Sequence, residues 1–255
     1  MSGVPSPDGI SPAQFAETLA RYEPFVEALS ASKPLKPDQK PLAALDRFRY
    51  VHAPQHFSLE GPEKKAMQLD HVKALVEWKL RHGKFRPSLM GLVSSNPTTL
   101  VSQTIQAALS AYSSSSASSP STTAALDILK TLRGIGPATA SLLLSVHDPD
   151  HVLFFSDEAY YWLCGGGKKA ALKYTQLEYE ALEKAAGKVV YRLGVSALDV
   201  ERVAYVLMRD GGEATKESVS KTQNRLDATS RKRKELIEDA EKPTLRRSKR
   251  GKPRP

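Results

Sequence analysis

Apolar residues recur at helical spacing along most of the chain. Phe15, Leu19, Tyr22, Val26 and Leu29 form the first stripe. Ser11-Pro12-Ala13-Gln14 reads as its start, with Ser as N-cap, Pro in the first turn and Gln closing a capping box. Pro24 is expected to kink or split this helix, because proline donates no N–H and crowds the preceding turn. Residues 31–41 read as a linker before a short helix over 42–50. Leu69, Val72, Leu75, Val76 and Leu80 make the stripe of an amphipathic helix over 69–80, which Gly83 ends before Phe85-Arg86-Pro87. Ser95-Asn96-Pro97 opens another helix, to about residue 112. The Ser-rich stretch 113–123 reads as a loop. Leu126, Leu129 and Leu132 resume the helical pattern, which breaks at Gly134-Ile135-Gly136-Pro137 and returns over 138–146. After the loop His147-Asp148-Pro149-Asp150, Ser156 caps a helix from Asp157 that Gly165-Gly166-Gly167 end. Thr175-Gln176-Leu177-Glu178 is a capping box for a helix to about 193, and Ser196-Ala197-Leu198-Asp199 opens the last one. No stretch alternates as a strand does, so the expected fold class is all-α, with about ten short helices.

The charge changes the picture at one end only. The chain has 255 residues and a net charge of +9. From Lys216 to Pro255 there are 14 Lys and Arg against 6 Asp and Glu, which leaves the rest of the chain near neutral. This stretch has no aromatic residue and is expected to be a disordered basic tail over 215–255. Residues 1–10 are expected to be flexible, and 11–214 to form one helical domain. The clusters Arg231-Lys232-Arg233-Lys234 and Arg246-Arg247-Ser248-Lys249-Arg250 read as nuclear import signals that also meet nucleic-acid phosphates, or else as a solvated tail. No run approaches the roughly 20 apolar residues that cross a bilayer, and MSGVPSPDGISPAQ has no secretory pattern, so no membrane partner is expected. The single cysteine, Cys164, excludes a disulfide framework, a Cys-rich zinc site and a four-cysteine iron–sulfur cluster. No cofactor or metal is expected.

The chemistry concentrates at the glycine break. Glycines allow positive φ and close backbone approach. A hairpin Gly134-Ile135-Gly136 between two apolar helices points backbone N–H groups and a helix N-terminus at one spot, which suits a DNA phosphate. Ile135 would plug the hairpin, Thr139 and Ala140 are small enough for tight helix packing, and Ala138 and Thr139 are expected at the DNA-contacting start of the second helix. Lys130 and Arg133 flank it as phosphate contacts or as a solvated helix edge. The alternative for the whole element is an ordinary glycine turn between core helices. Elsewhere, Lys79, Arg81, His82, Lys84 and Arg86 read as complements to a helix C-terminal dipole more than as a DNA surface. Gly165-Gly166-Gly167-Lys168-Lys169 lacks the strand and spacing of a phosphate loop. His147 and His151, beside Asp148 and Asp150, read as a solvated loop, and Cys164 as a small buried apolar residue.

The hairpin, the stretch Val152-Leu153-Phe154-Phe155, and Asp157 at a helix start 21 residues after Gly136 together resemble the helix-hairpin-helix DNA glycosylase superfamily. The match runs over about 126–163. Gly136-Pro137-Ala138-Thr139-Ala140-Ser141, Phe154-Phe155-Ser156-Asp157-Glu158 and the segment Leu75 to Pro87 are similar to the eukaryotic Amun-like branch of nuclear glycosylase-like proteins, which extends the likeness over most of 42–210. The resemblance implies a two-lobed helical fold, nuclear localisation and duplex DNA as partner. It assigns to Asp157 the carboxylate that stabilises charge on the sugar or activates water during base excision. Tyr160 and Tyr161 would line the pocket for a flipped base, although aromatics at this spacing are commonly core. The lysine of bifunctional members corresponds to Ala138, which leaves a monofunctional glycosylase, a DNA-binding protein without the chemistry, or a nuclear scaffold that engages protein partners.

Overall fold

The expected all-α class is what the structure shows: helices and no strand among the described residues. The structure is a computed structural model that describes residues 4–32, 34–37, 39–114 and 122–210. The basic tail with both its clusters lies outside the described residues, as do 115–121 of the Ser-rich stretch.

The N-terminal helix starts as its sequence dictates. Ser11 Oγ accepts from the Gln14 N–H, and the Gln14 side chain accepts from the Ser11 N–H, to open α1 (Pro12–Ala20). Arg21 separates it from α2 (Tyr22–Ala31). Pro24 sits in the first turn of α2, where its missing N–H costs nothing, so the helix splits rather than kinks. The segment expected to be loose is tied down: Ile10 is fully buried, Trp162 Nε1 donates to the Pro5 carbonyl at 2.8 Å, and Arg192 donates to the Pro7 carbonyl at 2.7 Å.

The helix expected over 42–50 becomes α3 (Leu42–Arg47), a π-helical turn (Phe48–His52) and α4 (Ala53–Phe57). Pro54 has no N–H for the Tyr50 carbonyl, and just before it the bonding shifts to i→i−5, from the Ala53 N–H to the Phe48 carbonyl. The chain continues through α5 (Leu69–His82), α6 (Leu89–Ser94), α7 (Thr98–Ser114), α8 (Thr122–Leu129), α9 (Pro137–His147), α10 (Asp157–Leu163), α11 (Gln176–Leu193) and α12 (Ala197–Asp210).

Helix α9 forms the centre. Every residue from Ala138 to His147 is buried, as a helix apolar on all sides requires. Helices α4, α5 and α8 pack on it. Its two serines keep their hydroxyls satisfied: Ser141 Oγ accepts from the Phe155 N–H at 2.9 Å, and Ser145 Oγ from the buried Arg49 guanidinium at 2.7 Å. Arg49 also pairs with buried Glu201 at 3.2 Å, which accepts from Tyr50 at 2.6 Å.

A second buried polar group carries a pH signature. Asp46 Oδ1 accepts from Tyr22 OH and Trp78 Nε1, each at 2.8 Å. Tyr22 OH spends its proton there, so His82 Nε2, 2.9 Å away, donates to it. His82 is stacked on Tyr205 at 3.7 Å and on Trp78 at 4.5 Å. Burial pushes the Asp46 carboxyl up to about 6, against the pull of its two hydrogen bonds. A carboxyl with its folded value raised favours folding while protonated, and that contribution is lost as pH rises from about 4 through 6. Asp46→Asn is therefore expected to gain stability relative to the wild type across this window, by about 3 kcal/mol, with no further gain above it. Urea unfolding at pH 4, 5, 6 and 7 checks this; parallel profiles would contradict it.

Candidate nucleic-acid interface

Between α8 and α9 the chain turns through Lys130 to Gly136. The turn closes on itself, with Lys130 N–H to the Leu126 carbonyl at 2.9 Å and Ile135 N–H to the Leu132 carbonyl at 3.1 Å. Leu132 and Ile135 are buried beneath it. The two glycines do different work. Gly134 has φ +79, and a Cβ there would sit 2.9 Å from Leu92 Cβ and 3.1 Å from the Val93 nitrogen, so it permits α6 to back the hairpin. Gly136 is the N-cap of α9; it is exposed, and a Cβ there would meet nothing within 4 Å.

Asn96 holds the turn in place, a role that the sequence reading missed. Its Oδ1 accepts from the Arg133 N–H and its Nδ2 donates to the Arg133 carbonyl, both at 2.9 Å, while Nδ2 also reaches the Val93 carbonyl at 2.9 Å. The side chain is buried, which a helix-start reading of Ser95-Asn96-Pro97 does not reveal. Asn96→Ala removes the partners of both Arg133 main-chain groups and is expected to cost about 2–3 kcal/mol. Thermal or urea unfolding measures this, and a loss below the error of the method would show that the clamp is dispensable.

Among the described residues, the backbone N–H groups of Gly134, Gly136 and Ala138 have no hydrogen-bond partner. Arg133 is exposed beside them, whereas Lys130 is held by Asp127 at 2.6 Å. Ala138 and Thr139 are buried, so their side chains offer no contact to a ligand there. Phe85 stands 70% exposed between Lys84 and Arg86 in the segment leading to α6.

Asp157 occupies the first turn of α10, after Ser156, whose Oγ accepts from the Ala159 N–H at 3.1 Å. Tyr174 OH donates to Asp157 Oδ1. Tyr174 is held at φ +56, a left-handed conformation rare for an aromatic residue, and its ring lies 5.3 Å from that of Phe155. The Arg86 guanidinium covers the same ring at 5.5 Å. Burial pushes the Lys79 ammonium down to about 8, the charge of Arg86 adds to this, and the charge of Asp157 opposes it. The Tyr161 hydroxyl is raised by burial and then by Asp157 and Glu158. Glu158 is tied to Arg209 at 2.7 Å. Asp157 thus touches Tyr174, whose ring Arg86 covers, and its charge reaches Lys79 and Tyr161. The Tyr160 ring is 6.2 Å from that of Phe155, and its hydroxyl is raised by burial and then by Cys164 and Glu178.

Several expectations are corrected. His147 is not in a solvated loop but is the buried last residue of α9, with Nδ1 2.7 Å from the Phe57 carbonyl; His151 does stay exposed, on Asp148. Cys164 is exposed, because it falls at the C-cap of α10, two residues past buried Trp162. His82 leaves the basic surface cluster for the interior, and Lys79 is half-buried. Gly166 and Gly167 form a left-handed turn after α10. Trp78 and Trp162 are core.

No protein-family model, curated protein or solved structure matches this chain. Among the described residues no group of His, Cys, Asp and Glu could hold a metal ion, and no helix is long and apolar enough to cross a membrane.

Proposed function

We propose that this chain is a nuclear DNA-binding protein of the helix-hairpin-helix glycosylase type, which takes a backbone phosphate of duplex DNA on the hairpin. The observation that carries this reading is the set of unpartnered N–H groups of Gly134, Gly136 and Ala138 at the start of α9, where Gly136 is exposed and Arg133 stands exposed beside it. Phe85 is a side chain of the kind that inserts at a base step, and the cations on either side of it suit the flanking phosphates. The tail adds 14 cations over its last forty residues and carries both import clusters. Titration of a duplex with a chain ending at Gly211 tests the hairpin without the tail. Affinity is expected to fall with salt at a log–log slope of about −0.9 per phosphate neutralised. A salt-independent affinity, or none, would contradict the reading.

A second reading has its own support: the Asp157 carboxylate, held by Tyr174, is suited to a sugar that develops positive charge, and the Arg86 cation over the Tyr174 ring suits an adjoining phosphate. In this reading Asp157 stabilises the oxocarbenium-like sugar or activates water, and Tyr161 faces the extruded base. Asp157→Asn keeps an oxygen for the Tyr174 hydroxyl while removing the charge. On duplexes carrying uracil, alkylated, oxidised or mismatched bases, single-turnover excision by the wild type and none by Asp157→Asn is the expected result for an enzyme. Absence of product from the wild type would leave a DNA-binding protein without the chemistry.

A further inference from the structure

Helices α2 and α3 and the π-helical turn border a cavity of about 450 Å³, which Arg202 of α12 also lines. The hairpin and Asp157 take no part in it. Tyr22, Val26 and Tyr50 give it apolar walls, and its volume falls in the range of sites for small molecules. Asp46 lines it too. This residue is 8% exposed, and its Oδ1 is already engaged by Tyr22 OH and Trp78 Nε1. Its Oδ2 takes no hydrogen bond among the described residues, yet it is not shut off from solvent as the unpartnered nitrogens of Arg49 and His147 are. Oδ2 is therefore a free acceptor that a molecule in the cavity can reach.

The charges around this oxygen decide what it can take. Burial raises the Asp46 carboxyl only to about 6, so it is ionised at neutral pH. Behind it Arg49 and Glu201 compensate each other at 3.2 Å. The cations of the lining are committed elsewhere. Arg202 lies over the Tyr50 ring at 5.1 Å and pairs with Asp199 at 3.0 Å, and Arg47 pairs with Glu23 at 3.9 Å. Glu27 lines the cavity from an exposed position and has no ion-pair partner among the described residues. The charge left over is thus negative, with one carboxylate buried and one at the surface. A metal ion needs more ligands than this, and no group of His, Cys, Asp and Glu among the described residues could hold one. An ammonium ion suits the site: it brings N–H donors for Oδ2 and offsets a buried charge that is otherwise unpaired.

We propose that this cavity binds an aliphatic polyamine, a small molecule whose ammonium groups are joined by short methylene chains. One ammonium donates to Asp46 Oδ2, the methylenes pack on Tyr22, Val26 and Tyr50, and a second ammonium meets Glu27. Calorimetric titration of the full chain with putrescine, spermidine and butylamine, at neutral pH and low salt, tests this. The net charge of +9 repels amines in general, so saturable binding reports a local site. Putrescine or spermidine is expected to bind one per chain, about tenfold or more tighter than butylamine, which has a single ammonium. Asp46→Asn removes the buried charge while keeping an oxygen for Tyr22 and Trp78, and is expected to weaken polyamine binding by about tenfold or more. Glu27→Gln is expected to bring polyamine binding down toward that of butylamine. Glu27 is exposed, so this variant keeps the test decisive should Asp46→Asn fail to fold. Absence of saturable binding would overturn the proposal, as would binding unchanged in either folded variant or butylamine bound as tightly as the polyamines.

Discussion

Gly136→Asp is expected to abolish duplex binding by a chain ending at Gly211 and to leave its unfolding transition where it was. The space around Gly136 is open, so the new side chain meets no atom it must displace. Its backbone has φ −95 and ψ −179, which any residue adopts. Aspartate is also a better N-cap than glycine by a few tenths of a kcal/mol, and its charge favours the positive end of the α9 dipole. The change is therefore neutral or slightly stabilising for the fold. For a phosphate it is severe: the carboxylate occupies the anion site, takes up N–H groups that were free, and repels the ligand. Losing charge-assisted hydrogen bonds of this kind costs about 2–3 kcal/mol, or about 30- to 140-fold in affinity, before repulsion is added. Fluorescence anisotropy with a labelled duplex, paired with thermal unfolding, measures both halves. Unchanged affinity would remove the hairpin from the DNA-binding surface.

Gly134→Val does the reverse and damages the fold. At φ +79 a β-branched residue is strained by about 1–2 kcal/mol, and its Cβ would press on Leu92 and the Val93 backbone at 2.9–3.1 Å. Backbone contacts do not yield as a flexible side-chain end would, so overpacking adds about 1–3 kcal/mol. The expected total is about 2–5 kcal/mol, with a fall in Tm of about 5–15 °C for a domain of this size. Calorimetry or circular dichroism reads it directly. A variant as stable as the wild type would mean that α6 does not back the hairpin as closely as the geometry requires. Two glycines two residues apart are thus expected to separate cleanly, one serving the fold and the other the ligand.

The fold was legible wherever local chemistry decides. Ser11, Ser156 and Thr175 each cap the helix that their sequence announces, and the break at Gly134 falls where two glycines interrupt an apolar stripe. What escaped depends on contacts distant in sequence. Asn96 reads as part of a helix start, yet its amide clamps Arg133, 37 residues away. Lys79 lies on a polar-looking helix end, and only packing brings it near Asp157. Tyr174 lies in a segment without periodicity and donates to Asp157 across 17 residues. Residues 4–10 looked loose because they are rich in Pro, Gly and Ser, but Trp162 and Arg192 fasten their carbonyl groups. The π-helical turn had one visible cause, Pro54, whose effect falls on the residues before it.

The most direct test of the account is an amide ¹H–¹⁵N correlation spectrum of the chain ending at Gly211, titrated with a short DNA duplex at low salt. The unpartnered N–H groups are the proposed phosphate ligands, so the amide signals of Gly134, Gly136 and Ala138 are predicted to move first and furthest, with that of Arg133 following. Binding that shifts other surfaces and leaves these amides in place would contradict the central claim.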